Sequence, residues 1–329
     1  MKYVNYVLLI ITFILLIISP SQIKENVSIS LSLWTNHVLP VLFPVFVMTD
    51  LIISNSLTTK ISDAISPLFS ILFNVNKRSS VIIVLSIFAG NPSSARLLKR
   101  LIENDEISIS EASYLLSFTS FANPIFIYNV FGLAFFSNYS VGFILLISHY
   151  ASNLLIGVIT RPKNKFDISS AQIQSINIVE SITKNVQVIL NIGGFIVFVN
   201  IIKMLVSDYL KNPDSLLFLI VNGSFEFVSG IQSVSDADIS LKAAVVVASF
   251  ILGFGGIAIH LQVYSLIYEH LSYMRFLIAR IAQGLISSII TLLIFNLIYT
   301  DAIQVSTKHY SYLLLIPFLI LFIKKRSRI

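Results

Sequence analysis

Cysteine is absent from the 329 residues, and tryptophan occurs once. Without cysteine there are no disulfides, no thiolate metal sites and no cysteine nucleophile. Charge is nearly as scarce: Asp, Glu, Lys and Arg make up 12% of the chain, against roughly 25% in a soluble domain. That is too little polar surface to keep a fold of this size in water, which excludes an ordinary cytosolic enzyme and a disordered tail. What is abundant is apolar: 56% of residues are hydrophobic and the mean hydropathy is +0.87. The predicted solvent is a lipid bilayer. A net charge of +6 and a pI near 9.4 fit loop lysines and arginines gathered on the cytoplasmic side, so no nucleic-acid partner is expected.

Long apolar runs, rather than alternating ten-residue strands, predict an all-α polytopic membrane protein instead of an outer-membrane barrel. Runs near 7–18, 38–54, 110–136, 139–160, 187–206, 241–268, 275–299 and 310–323 suggest about eight transmembrane helices. The first is read as a signal-anchor helix, because Ser19-Pro20-Ser21-Gln22 offers no small-x-small cleavage site. Two further apolar stretches are too short to cross. Val81–Phe88, about 12 Å of helix at 1.5 Å per residue, meets Gly90-Asn91-Pro92 and resumes at Ser93. Leu216–Val221 meets Asn222-Gly223-Ser224 and then Glu226. Both read as re-entrant hairpins, whose irregular backbone is tolerated at depth only where protein or water satisfies it.

Charge favours that reading. With both hairpins re-entrant and both termini cytoplasmic, seventeen of the 22 basic residues fall on the cytoplasmic side and five outside. An offset of 132 also aligns the halves: Ile107-Ser108 with Ile239-Ser240, Ser117-Phe118 with Ser249-Phe250, and Asn123-Pro124 with Gly255-Gly256. The expected organisation is two inverted gate-type repeats, the arrangement in which many secondary transporters hold solute at the midplane between broken helices. In it 1–24 is the anchor, 25–160 repeat 1, 161–178 a cytoplasmic connector and 179–300 repeat 2. Residues 301–329 form a last transmembrane helix with a basic cytoplasmic tail. Glycines at 90, 193, 194, 223, 230, 253, 255 and 256 are assigned to the breaks, with Pro92 and Pro124. Ser108 and Glu111 have capping-box spacing, and Asp236, Asp238 or Ser240 can cap the corresponding helix of repeat 2.

Glu226 is the one acid deep in an apolar stretch, and an ionisable group at such depth is a functional candidate by default. It can accept hydrogen bonds from a solute or carry a coupling proton; equally, it can bridge its turn to backbone amides. Asn222, Ser224, Ser229 and Gln232 line the same hairpin. His260 and Gln262 follow the Gly255-Gly256 break and suit either solute binding or interhelical hydrogen bonding. His149 with Asn153 suits the latter. In repeat 1, Asn91, Ser93 and Ser94, and Thr119, Ser120 and Asn123, are neutral polar clusters at helix breaks where freed N–H groups can recognise a polar molecule. Asp50, Lys203 and Arg280 are read as snorkelling side chains near span ends. No HExxH, GxSxG, P-loop or metal-spaced carboxylate cluster occurs; neither an enzyme nor a cofactor is expected.

These residues resemble a family. Gly90-Asn91-Pro92-Ser93-Ser94-Ala95, Glu106 to Glu111-Ala112, Ser117-Phe118-Thr119 to Asn123-Pro124, and Gly255-Gly256 to His260-Leu261-Gln262-Val263 look like the sporulation integral membrane protein YlbJ family. That family is grouped with the nucleoside-recognition, or gate, domain proteins. The likeness runs from about Leu33 to Phe295. It implies an inner-membrane protein of endospore-forming bacteria linked to spore cortex formation, with concentrative nucleoside transporters among its relatives. Gly223-Ser224-Phe225-Glu226-Phe227-Val228 is distantly similar to the Asn-Glu-Phe motif of those transporters, which implies a place for Glu226 near the solute. Asn91 stands where the family carries a bulkier residue, and an ion-binding signature is missing.

The expected function is therefore a permease-like protein for a small polar solute, nucleoside-like or a spore-precursor metabolite, with proton or sodium as the open choices of coupling ion. The alternative is a non-transporting membrane scaffold or assembly factor for the spore envelope. Expected partners are the solute, membrane lipid, and either further copies of the chain or other membrane proteins.

Overall fold

The computed structural model describes residues 13, 17–53, 57–103, 105–164, 177–207, 212–267 and 270–300. Most of the anchor run 7–18, the connector and the C-terminal span at 310–323 lie outside the described residues. Every regular element described is helical. Pro20, pre-set for a first helical turn, opens α1 (Pro20–Leu33), which passes through a π-helical turn at Trp34–Val38 into α2 (Leu39–Ile53). There follow α3 (Leu57–Phe73), α4 (Lys77–Ala89), α5 (Ser93–Glu103), α6 (Ile109–Phe118) and α7 (Pro124–Phe135, π-helical from Ile127). Then come α8 (Tyr139–Ile159), α9 (Ile178–Ser207), α10 (Leu216–Phe225) and α11 (Phe227–Asp236). The last are α12 (Leu241–Phe254), α13 (Gly256–Ile267) and α14 (Tyr273–Thr300).

Five helical segments among the described residues are long and apolar enough to cross a bilayer: Pro20–Leu51, Tyr139–Ile159, Ile178–Met204, Leu241–Ile267 and Tyr273–Tyr299. The expected span 110–136 is not one rod. It is α6 and α7 separated by the non-helical stretch 119–123, because Asn123 caps a new helix and Pro124 lacks the N–H that would continue the old one. The expected span 38–54 is the second half of a longer run that begins at Pro20. The helix α3 was not anticipated, since Lys60 and Asp63 interrupt its apolar residues.

Large apolar side chains face outward along the long helices, with Ile159, Ile289, Leu293 and Leu297 all more than half exposed. Polar groups turn inward: Asn153, Asn185, Ser249, Gln283 and Ser287 are inaccessible. That inside-out distribution suits a lipid surround. Two apolar clusters fill the interior, one around Phe46, Phe131 and Ile251, the other around Phe118, Leu98 and Val263.

The contacts order the helices. Against α14, residues of α8 run Asn153 at Arg280, His149 at Gln283 and Asn138 at Tyr299. Residues of α12 run Ser249 at Ser287 (2.7 Å) and Val246 at Ser288. Both helices are thus antiparallel to α14 and begin at its Thr300 end. The α10–α11 hairpin closes on itself at that end, where the Asp238 N–H donates to Asp214 Oδ1 at 3.1 Å just before α12. The α4–α5 hairpin has its base at the other end of α8. Asn74 donates to the carbonyls of Pro162 and Lys163 there, and Asn76 and Ser79 donate to Glu111. The two hairpins enter the bundle from opposite ends.

Helix starts repeat with the sequence offset. The starts of α6 and α12 are 132 apart, as are those of α7 and α13. Ser108 and Ser240 hold equivalent N-caps, accepting from the N–H three residues on at 3.2 and 3.3 Å. The capping box is only half present: the Glu111 carboxylate turns from the Ser108 amide to Asn76 and Ser79, tying α6 to the start of α4.

Gly223 and Gly230 lie inside α10 and α11 rather than at a break. They let the two legs touch: a Cβ on Gly230 would sit 2.2 Å from Gly223 Cα. Gly193 and Gly194 likewise lie inside the unbroken α9, Gly193 against the Trp34 ring and Gly194 with open space around it. Gly230→Ala is expected to lower the thermal unfolding midpoint in detergent, an overpacking cost of about 1–3 kcal/mol. Gly194→Ala should be neutral or stabilising by up to about 1 kcal/mol from helix propensity. Equal midpoints for the two variants would contradict the close packing of the hairpin legs.

Candidate functional site

The two hairpin tips and the two helix breaks meet. Asn91 from the first tip, Glu226 from the second, Asn123 and Gly255 from the breaks, and Gln262 from α13 line one central cavity, with apolar walls from Leu42, Phe126 and Ile192. The void has about 30 Å³ of free volume, room for a water or two. Each tip rests on the break of its own half. Gly90 (φ +71°) would place a Cβ 3.0 Å from Asn123 N, and Gly256 (φ +72°) would place one 3.1 Å from Phe227 N. Positive φ and close backbone approach make both positions suited to glycine.

Glu226 is fully buried and forms the corner between α10 and α11. Its two carboxylate oxygens accept from the N–H groups of Val228 (3.0 Å) and Ser229 (2.7 Å), so it caps its own helix while lining the cavity. Ser229 accepts from Lys203 Nζ at 3.0 Å and meets Asn200, which donates to Ser30 at 3.0 Å. Lys203 therefore reaches inward to α11 instead of snorkelling. Asn222 donates to Ser233 at 3.1 Å across the hairpin, and its own side-chain oxygen is buried without a partner. Ser224 turns back to Ile220 O. Gln232 is half-buried and is not part of the cavity wall.

On the other side, the gap 119–123 between α6 and α7 is held by side chains. The Ala122 N–H donates to His149 Nε2 (2.9 Å), and the Ala122 carbonyl accepts from Tyr150 OH (2.8 Å), which also reaches Ile87 O. Asn123 accepts from the Phe126 N–H as the α7 cap and donates to Phe88 O at 2.6 Å. Asn91 and Ser120 bond to each other through two contacts. Thr119 is buried with an unpartnered hydroxyl and does not reach the cavity.

Arg280 overturns its reading as a snorkelling side chain. It is 1% exposed and among the largest fully buried side chains. Its guanidinium donates to Ser120 O (3.1 Å), Ser117 O (2.7 Å), Asn153 Oδ1 (3.1 Å) and Gln283 Oε1. Those carbonyls are freed at the end of α6, where the helix dipole leaves partial negative charge. The planar fork suits several acceptors at once. One signal for this was legible, an Arg within a long apolar run, but its nearness to the Tyr273 end of α14 suggested an exposed head. Asp50, the third residue read as snorkelling, pairs with Arg96 at 3.0 Å and accepts from Asn185 at 2.8 Å.

The structure does not bring His260 into the cavity wall. Its ring nitrogens meet Tyr273 OH (2.8 Å) and Phe254 O (3.1 Å), tying α13 to α14 across the break. Gln262 is brought there: it is buried, and its side-chain oxygen has no partner. Ser93 and Ser94 line a different pocket, on the α2 and α9 side of the first hairpin. Among the described residues no group of three or more His, Asp or Glu side chains is placed to hold a metal ion.

The chain is 28% identical over 324 residues to the sporulation integral membrane protein YlbJ of Bacillus subtilis (strain 168), covering 85% of this chain and 79% of that protein. The chain is a YlbJ homologue. With its apolar helices, it is a multi-pass integral membrane protein. The YlbJ likeness seen in the motifs thus extends along most of the sequence. No family model matches the chain, and no solved structure does.

Arg280→Leu removes the guanidinium donors from two carbonyls and two side-chain oxygens in the interior. At about 1–3 kcal/mol for each buried group left unsatisfied, it should lower stability by several kcal/mol, or prevent recovery of folded protein from membranes. Arg280→Lys, with three donors but no fork, should fall between the two. Unfolding in detergent measures both; a fully stable Arg280→Leu protein would show that the break holds without it.

Proposed function

We propose that the protein is a gate-type permease for a small polar solute, serving spore formation and the spore cortex, with its solute site at the central cavity. The observation that carries this reading is the convergence of Asn91, Asn123, Glu226, Gly255 and Gln262 from two hairpin tips and two broken helices onto one void. In lipid a broken helix is costly unless its freed groups are used, and here they surround a common point. The hairpins entering from opposite ends, and the repeated 132-residue spacing of helix starts, support two repeats inserted in opposite senses, as in alternating-access transporters. The nucleoside-like class of solute rests on the family resemblance and on the neutral amide and hydroxyl groups at the breaks. No chemical step on the solute is part of this reading.

A void of about 30 Å³ is far below the roughly 300–1,000 Å³ of pockets that hold drug-sized ligands. The described arrangement therefore corresponds to a closed state, and solute access requires one hairpin to withdraw from its break. At the tips themselves, Asn91 bonds Ser120 and Asn123 bonds Phe88 O on one side, and on the other the tip meets its break by close backbone approach at Gly256.

The second reading is a non-transporting assembly factor. One observation favours it: both oxygens of the Glu226 carboxylate are already engaged by backbone N–H groups of its own helix. Gln262 separates the two. Because its side-chain oxygen has no partner, Gln262→Met should leave the unfolding midpoint unchanged or raised. In a permease it should lower uptake of nucleosides into proteoliposomes by tenfold or more. Glu226→Gln should abolish uptake while costing about 1 kcal/mol through the weakened cap. An assembly factor predicts no flux by the parent protein.

A further inference from the structure

A second pocket, of about 210 Å³, shares no residue with the central cavity. It lies between the first hairpin, the end of α2 and the start of α9, and its wall includes Arg96, Arg100, Lys184 and Asp50. Three cations thus face one carboxylate. That carboxylate is committed: Asp50 Oδ1 accepts from Arg96 Nη2 at 3.0 Å and Asp50 Oδ2 from Asn185 at 2.8 Å, while Arg96 Nη1 donates to Asn185 Oδ1 at 3.0 Å. The closed ring pins α2, α5 and α9 together, and Arg100 and Lys184 bring two more cationic side chains to the wall. Lys184 also pairs with Glu180 at 2.7 Å on the outer face of α9.

The same wall carries three buried hydroxyls with nothing to bond. Ser86 and Ser94 are 1% exposed and Ser93 is 6% exposed, and the Oγ of each is buried without a hydrogen-bond partner. Ser93 and Ser94 open α5, an 11-residue helix whose first N–H groups and dipole favour an anion. Leaving a buried hydroxyl without a partner is unfavourable, so three around one space point to something that bonds them there.

We propose that this pocket binds the anionic oxygens of a phosphate or carboxylate group, either on a small soluble metabolite or on a lipid headgroup. The hydroxyls of Ser86, Ser93 and Ser94 donate to it, the first turn of α5 faces it, and the cationic side chains of Arg96, Arg100 and Lys184 stand in its wall. A space of about 210 Å³ admits an anionic group bearing a few carbons. Because the pocket abuts the hairpin whose tip meets the central cavity, its occupant bears on the position of that hairpin.

The test uses the full-length protein in nanodiscs of phosphatidylcholine alone or with phosphatidylglycerol. Inorganic phosphate and glycerol 3-phosphate are titrated by calorimetry, with glycerol as the uncharged control, and retained phosphatidylglycerol is measured by mass spectrometry. The variants are the double variant Ser93→Ala/Ser94→Ala and Arg100→Gln. The serine variant removes groups that have no partner, so it should fold with an unchanged or higher melting point. A soluble source predicts binding of the phosphate probes but not glycerol in phosphatidylcholine, weakened tenfold or more in both variants. A headgroup source predicts no soluble binding but retained phosphatidylglycerol that both variants lose. Absence of binding in both lipids, or binding and retention that the folded variants leave intact, would overturn the proposal.

Discussion

Inside a bilayer no water is available to satisfy a backbone group released by a broken helix, so every break must be closed from within. The rest of this structure depends on that constraint. The gap between α6 and α7 frees carbonyls and amides at the core of the bundle, and side chains of two other helices and of the first hairpin tip answer them. His149 and Tyr150 take both backbone groups of Ala122 from α8, and Arg280 covers Ser117 and Ser120 from α14. The second hairpin is closed more economically, by one carboxylate bonding two amides across the corner at Glu226. Where these devices succeed, the irregular backbone becomes a permanent feature at mid-depth. Where a polar atom is left over, as on Gln262 and Asn222, the interior keeps a capacity to bind.

The two breaks are closed with different chemistry although their helices begin at matched positions. The first uses a buried cation that spans three elements; the second uses a positive-φ glycine, Gly255, and a His260 contact to Phe254 O. The cation ties α6 to α8 and α14 through charge-assisted bonds, whereas the glycine side relies on backbone proximity. The first hairpin is bonded to its break through Asn91 and Asn123, whereas the second meets its break at Gly256 by close backbone approach.

Much of the fold was legible because hydropathy and helix punctuation are local. Gly90-Asn91-Pro92 and Asn123-Pro124 announced breaks, Ser108 and Ser240 announced helix starts, and the short apolar stubs announced hairpins; all are helix ends in the structure. The convergence of Asn91, Asn123, Glu226 and Gln262 was legible only as a pattern of polar residues near breaks. The errors came from non-local facts. Arg280, Asp50 and Lys203 sit near span ends in the sequence, and nothing local says that neighbouring helices there turn acceptors toward them. Glu111 had the spacing to cap its own helix, but Asn76 and Ser79 from another helix offered stronger partners. Glycines in α9, α10 and α11 looked like breaks because close packing and chain reversal both select glycine.

The central claim is that the two hairpins dip into the membrane from opposite faces. The chain has no cysteine, so single cysteines introduced at Asn76 and Asp105 beside the first hairpin, and at Asp214 and Asp238 beside the second, report without background. Labelling with an impermeant maleimide in right-side-out and inverted vesicles should place 76 and 105 on the cytoplasmic face and 214 and 238 on the outer face. If either pair divides between the faces, or all four positions share one, the opposed hairpins and the solute site between their tips are both wrong.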